Sequence, residues 1–368
     1  MANKRKFLRH IHYFRGFAII NVMIVHIWNG PTGEGAAYTH AADMIRLLQQ
    51  VFFHDSTIYF IFVSGFLVEY LSATKNPLGY YGKKIANVIV PYLIMSTLWF
   101  LWESSKIPQS TEDLPSLAGT YLSMLTYGKA QIQYWYIPFI AVVFLLSPLI
   151  LRIPDPAFNR ITLAASILPL LGTRTGTEIS AFQFIYLLPV YLQGIYAARN
   201  HDRVIDLAKK HQPLLAFLAL ACTIALMYLH GNSISFGPTS LSESIHYIHK
   251  SSIMFIVLPF LASLEQKSIK ALDLFARYSF AIFFTHITVS MYLVWKILPP
   301  ETIYSLPLIS ASSYTLIMGS ILYLFIKIFA TLFCCIAAKK STRLHIPIPH
   351  RSITIEQDRH GHELSGSF

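Results

Sequence analysis

The stretch Arg15-Gly16-Phe17-Ala18-Ile19-Ile20-Asn21-Val22-Met23-Ile24-Val25-His26 is an apolar run broken by an arginine, an asparagine and a histidine. It sits in a segment near 12–29, close to the roughly 20 mostly apolar residues that a helix needs to cross a bilayer. Eleven positions separate Arg15 from His26. That is close to three whole turns, so a helix puts both side chains on one face, about 16 Å apart along its axis. Ionisable residues inside a span are costly and default to functional candidates.

The rest of the chain repeats the pattern. Of its 368 residues 54% are hydrophobic and 13% are charged, and the mean hydropathy is +0.50. A soluble domain carries about 25% charged residues; half of that cannot clothe a globule in water. Ten candidate spans lie near 12–29, 50–71, 85–103, 134–151, 161–173, 182–198, 214–231, 251–264, 275–298 and 307–338, the fifth and eighth being short. The expected fold is therefore all-α: a polytopic transmembrane bundle of about ten helices, with residues 1–338 as the membrane domain and 339–368 as a polar, mobile cytoplasmic tail. The basic start Met1–Arg9 resembles a signal peptide. However, Asn21, His26 and the lack of a small-residue cleavage site favour a retained first span.

Loop charge supports the count. With a cytoplasmic N-terminus, one side receives Lys4, Arg5, Lys6 and Arg9; Lys75, Lys83 and Lys84; Arg152 and Arg160; Arg199, Arg203, Lys209 and Lys210; Lys267, Lys270 and Arg277; and Lys339, Lys340, Arg343, Arg351 and Arg359. The other side receives Arg46, Lys106, Lys129, Arg174, Lys250 and Lys296. That bias follows the positive-inside rule and puts both termini in the cytoplasm. The net charge of +11 thus reads as topology rather than as a nucleic-acid surface. Cys222, Cys334 and Cys335 all lie in apolar runs, which gives no disulfide framework. The outer loop Glu103–Gln133, with Pro108, Pro115 and Gly119, is expected to be irregular and is too short for a catalytic domain of its own.

Each candidate has a plainer reading beside the chemical one. Arg15 can hold phosphates in a fork of donors or can simply anchor a helix end. His26 can take a proton from a hydroxyl or sit at the interface. His286 can shape a site or pair with a hydroxyl. Glu69 can orient an arginine or histidine of the site, or pair with Lys75 or Lys83. Ser64-Gly65 reads as a close helix approach rather than a nucleophile. Trp135 and Tyr136 read as interfacial anchors that can also stack on sugars, and Arg174 and Glu178 as outer-loop residues away from any acceptor. His10-Ile11-His12 and His246-Tyr247-Ile248-His249 have ligand-like spacing without carboxylate or cysteine neighbours in sequence, so no metal is expected. No G-x-x-x-x-G-K-S/T phosphate loop is present.

The R-G-x9-H run of Arg15-Gly16 to His26 resembles the opening span of the acyltransferase-3 family of membrane acyltransferases. Phe62-Val63-Ser64-Gly65-Phe66-Leu67 is similar to that family's S-G-F-L segment. Tyr80-Tyr81-Gly82-Lys83-Lys84 followed by Pro91-Tyr92, Trp135 through Ser147-Pro148-Leu149, and Tyr278-Ser279-Phe280-Ala281-Ile282-Phe283-Phe284-Thr285-His286 resemble later family segments, in order. The likeness covers about residues 10–335. The chain departs from the pattern at His12, Asn87 and Gln133-Tyr134.

The resemblance implies transfer of an acyl group, most often acetyl, from acetyl-CoA to a hydroxyl of a surface or exported polysaccharide or its lipid-linked precursor. It implies His26, Arg15 and His286 as catalytic candidates, with Arg15, Lys83 and Lys84 toward the donor's phosphates; Glu69 joins the catalytic candidates as an acid within the second span. For Lys83 and Lys84 a solvated basic loop is the competing reading. Such a protein would sit in a bacterial inner membrane, with the bilayer, an acyl-CoA and a glycan as partners. Its oligomeric state is not legible. A transporter or flippase of a lipid-linked glycan is the alternative, because basic loops and charges within spans suit it as well.

Overall fold

The computed structural model of the protein describes residues 7–71, 76–106, 114–172, 174, 179–229, 235–236, 239–306 and 313–345. It opens with α1 (Arg9–Ile27), α2 (Ala36–Phe52) and α3 (Thr57–Tyr70). Then α4 (Pro77–Lys84) runs through a π-helical turn, Ile85–Ile89, into α5 (Val90–Ser104). The middle holds α6 (Leu114–Tyr127), α7 (Tyr136–Ile150), α8 (Asp155–Ala165), α9 (Leu168–Leu171), α10 (Ala181–Arg199), α11 (His201–Lys210) and α12 (Gln212–Leu229). The last part comprises α13 (Leu241–Ser263), α14 (Lys270–Ile287) with a π-helical extension Thr288–Val294, α15 (Trp295–Ile297), α16 (Pro300–Tyr304) and α17 (Ser313–His345). Among the described residues the only strands are a two-residue antiparallel pair, Ser235–Phe236 against Thr239–Ser240.

Local chemistry sets several of the boundaries. The Asn76 side chain caps α4 by accepting from the Gly79 amide, with Pro77 in the first turn. Ser180 and Ser240 cap α10 and α13 by accepting from the Gln183 and Glu243 amides. The π turn ends just before Pro91, whose nitrogen has no proton to give to the helical ladder.

Seven helices are long and apolar enough to cross a membrane: Ala36–Tyr70, Pro77–Ser104, Ala181–Arg199, Gln212–Leu229, Leu241–Ser263, Lys270–Ile297 and Tyr314–Lys339; Tyr136–Ile150 is apolar but shorter. Helices stand at each of the ten expected positions, with five corrections. The apolar run 50–71 is not one rod, because α2 ends at Phe52 and a turn with Asp55 at φ 60° starts α3. The run 161–173 is split between α8 and α9. The outer loop expected to be irregular contains α6. The eighth span begins ten residues early, at Leu241, because buried Glu243, His246, His249 and Lys250 find polar partners inside the bundle or sit shielded within it. α17 runs past the expected boundary at Lys339 to His345. Lys75, Glu178 and the tail beyond His345 lie outside the described residues.

Between lipid-solvated helices the hydrophobic effect contributes little, so close packing and hydrogen bonds must hold the bundle together. Two glycine crossings supply the packing. A side chain at Gly65 would run into the Tyr191 carbonyl, and one at Gly194 into the Phe62 carbonyl, so α3 and α10 lie backbone to backbone. The reading of Ser64-Gly65 as a helix approach holds. Likewise a Cβ on Gly16 would lie 2.6 Å from the Leu272 oxygen of α14.

Hydrogen bonds sort the helix ends into two groups. At one end Arg199 donates to Glu69 (3.2 Å), Asp155 (2.9 Å), the Ile153 oxygen (3.1 Å) and the Leu151 oxygen (3.0 Å). Tyr13 donates to the Lys267 oxygen there (3.0 Å). At the other end Lys327 donates to the Ile27 oxygen (3.1 Å) and Lys250 to the Phe52 oxygen (2.6 Å). The first end gathers Arg9, Arg152, Arg199 and Lys267, and is called the basic end below. Arg199→Met should lower thermal stability by about 1–3 kcal/mol, since it takes away the donors that Glu69, Asp155 and two carbonyls accept from. Melting of the purified protein checks this, and an unchanged transition would dismiss the clamp.

Glu265, just past α13, ties down the start of α1: it accepts from the Arg9 amide (2.9 Å), the His10 amide (2.8 Å) and His10 Nδ1 (2.6 Å). Burial alone would raise its pKa, but these bonds outweigh burial and hold the carboxyl below its usual range. The unfolded value is about 4.3. The tether therefore stabilises the fold above that pH and is lost as pH falls through the lower folded value. Glu265→Gln should flatten the acid limb of a melting-temperature profile and leave the slope near neutrality unchanged.

Candidate active site

α1 and α14 run parallel in one register. His12 Nε2 lies 3.1 Å from Asp273 Oδ1, Arg15 Nε donates to the Ala276 oxygen at 3.1 Å, and the rings of His26 and His286 stand 5.6 Å apart between centroids. Both α1 candidates thus face α14, as the eleven-residue spacing requires.

His26 lines a cleft with Val22, Thr57, Phe60, Gln133, Trp135, Tyr136 and Phe283. The space is about 10 Å³, roughly room for one water. His286 is fully buried. Its Nδ1 lies 2.9 Å from the Ile282 oxygen and 3.0 Å from the Phe283 oxygen. A carbonyl can only accept, so Nδ1 carries the proton and Nε2 is left as an acceptor with no partner. The π-helical stretch begins at Thr288, two residues after His286, and such widened turns often accompany functional sites.

The cleft's outer wall is polar. Gln133 Nε2 donates to Gln131 (2.8 Å), Gln131 donates to Thr288 (2.9 Å), and Gln133 Oε1 has no partner. Tyr136 and Ser64 share a hydrogen bond at 3.3 Å. The Arg174 guanidinium stacks over Trp135 at 4.9 Å and donates to Asp55, which also accepts from Tyr186 at 2.9 Å. His54 Nε2 approaches Glu243 to 3.2 Å, and its ring lies 4.7 Å from that of His246. Lys327 caps the last turn of α1 beside His26 and sits 4.5 Å from the Tyr323 ring.

Sequence reasoning missed this cluster, although His54-Asp55 visibly interrupts the apolar run 50–71. Nor did its place in a short outer loop suggest that folding would carry Arg174 onto Trp135 at the cleft. The first histidine pair does find carboxylates, from distant positions: Glu265 for His10 and Asp273 for His12. Glu243, three residues before His246 on α13, meets His54, whose ring in turn lies against that of His246. Among the described residues His54, Asp55 and Glu243 bring donor atoms within 4.8 Å of one another. Arg174 already supplies a positive charge to Asp55.

The other candidates lie elsewhere. Glu69 pairs with Arg199 at the basic end. Lys84 lies 3.6 Å from the Phe144 ring, and Lys83 is exposed. Arg15 is half-buried, with Nη2 3.4 Å from His12 Nδ1. Arg15, His26 and His286 therefore come together along α1 and α14; Glu69, Lys83 and Lys84 do not join them.

A multi-pass helical bundle with a histidine pair set into an interhelical cleft has the make-up of a membrane-embedded acyltransferase. The acyltransferase domain family matches residues 8–340, and the chain belongs to this acyltransferase-3 family. No curated protein and no solved structure matches it.

Proposed function

We infer that the protein is an O-acetyltransferase, moving acetyl from acetyl-CoA to a hydroxyl of a surface or exported polysaccharide or its lipid-linked precursor. The observation that carries this is the pairing of His26 with His286 at a cleft, with Arg15 on the same face of α1 nearer the basic end. The donor enters from the basic, cytoplasmic end, its phosphates near Arg15 and secondarily Lys83 and Lys84. Its thioester carbonyl reaches His26.

His26 takes the proton of the acceptor hydroxyl as the oxygen attacks the thioester carbon. The tetrahedral intermediate then collapses, the carbon–sulfur bond breaks, and His26 returns the proton to the leaving thiolate. The products are the acetyl ester and free CoA. His286 packs its ring against His26 and limits where that ring can go, while Trp135 and Arg174 meet the sugar. Glu69 acts on the site only through the packing that Arg199 maintains. The reaction as written uses no metal. The protein would lie in a bacterial inner membrane with ten crossings and both termini cytoplasmic.

The test is the mass of surface glycans with and without the gene. Loss of one acetyl mass per modified residue is the expected result. An unchanged glycan mass, together with unaltered melting of the purified protein on adding CoA, would remove the proposal and favour a transporter.

A further inference from the structure

The acyl-transfer reading leaves a second cavity unused. It is about 620 Å³ and lies between α8, α10, α11, α12 and α13. Arg160, Arg203 and His211 stand exposed at its edge. Leu163 and Leu207 line it and are themselves 75% and 44% exposed, so the cavity opens sideways where lipid would lie. Its lining is mainly apolar, with a few polar side chains set into it. Asn159, Thr162 and Gln193 are among the lining residues, and Asn159 Oδ1, Thr162 Oγ1 and Gln193 Oε1 are buried with no hydrogen-bond partner. Thr162 is only 5% exposed. Buried polar atoms without a partner are rare in folded proteins. Three around one cavity call for a ligand that brings hydrogen-bond donors.

We propose that this groove seats a membrane phospholipid whose headgroup joins a phosphate to free hydroxyls, as phosphatidylglycerol does. The phosphate meets Arg160 and Arg203, whose planar forks suit it. The headgroup hydroxyls donate to Asn159 and Gln193 and exchange a bond with Thr162. An acyl chain follows Leu163 and Leu207 out to the bilayer. A choline or ethanolamine headgroup would press a second cation against the two arginines. A lipid-linked sugar seated here would be away from His26, because the groove lies at the basic end and shares no lining helix with the His26 cleft. Basic side chains at this level also draw anionic lipid to the surface.

The experiment uses the purified full-length protein in neutral-detergent micelles, given phosphatidylglycerol, phosphatidic acid or phosphatidylcholine. Retention is read by native mass spectrometry and stability by thermal melting. Phosphatidylglycerol should be retained and raise the melting temperature, phosphatidic acid should be retained less, and phosphatidylcholine not at all. The surface double variant Arg160→Gln/Arg203→Gln should weaken phosphatidylglycerol binding at least about tenfold, the weight of one charge-assisted hydrogen bond. Gln193→Leu should erase the preference for phosphatidylglycerol over phosphatidic acid. His26→Ala should leave every one of these readings unchanged, which separates the groove from the acyl-transfer reading. Equal retention of phosphatidylcholine, or undiminished binding in the double arginine variant, overturns the proposal. So does a polyprenyl-phosphate sugar that displaces phosphatidylglycerol at equimolar amounts, since the groove would then belong to the glycan.

Discussion

His26→Ala should reduce acyl transfer by about 10²–10⁴-fold, the range that a positioned general base contributes, while the protein accumulates in the membrane at its normal level. The chemical reason is that a hydroxyl is a poor nucleophile until its proton has somewhere to go. The imidazole at 26 is the side chain in this cleft placed to receive it, and Gln133 and Tyr136 beside it are poor bases at neutral pH. Its loss should cost little stability, because the side chain is only partly enclosed and faces a small cleft. His26→Gln is the sharper variant. It keeps much of the volume and some hydrogen bonding but cannot accept a proton, so it should be about as inactive as alanine. Glycan acylation at the wild-type level in either variant would mean that the base lies elsewhere, and His286 Nε2 would be the next candidate.

The largest structural effect is expected at the α3–α10 crossing. Gly65→Val or Gly194→Val places carbon where the facing helix has its carbonyl. The obstacle is backbone, so no rotamer change relieves it and the two helices must part. Overpacking a well-filled interior costs about 1–3 kcal/mol and sometimes more. Here the separation also undoes the burial of Phe62, Phe66 and Tyr191, all fully enclosed. The expected result is little or no folded protein in the membrane fraction, with Gly65→Ala intermediate. Gly82→Val is the control, because nothing lies near its would-be Cβ. Equal accumulation of the Gly65 and Gly82 variants would contradict the crossing.

What the sequence made legible was local or periodic. The membrane character followed from composition, and the shared face of Arg15 and His26 followed from their spacing. Their neighbour His286 lies 260 positions along the chain, and only family order suggested it. α2 escaped notice because Asp43, Arg46, Gln49 and Gln50 keep its overall apolarity low, although Ala41, Ile45 and Leu48 mark a helical stripe. The cluster of Asp55, Arg174, Tyr186 and Glu243 escaped for a different reason. Its members come from four separate elements, and no spacing rule links charges many dozens of residues apart. Glu69 drew attention as an acid within a span, yet its partner Arg199 was filed as a loop charge. The pairing became visible only once α3 and α10 were laid side by side.

The glycine crossings have a mechanical consequence. α1 with α14, and α3 with α10, form two stiff leaves, each laced by backbone contact too tight to slide. The His26 cleft lies along the seam where α1 and α14 meet α3 and the start of α7, and at rest the seam is shut to little more than a single water. Anything larger than a water that is to reach His26 has to part the leaves rather than flex within one, like a book opened at its spine.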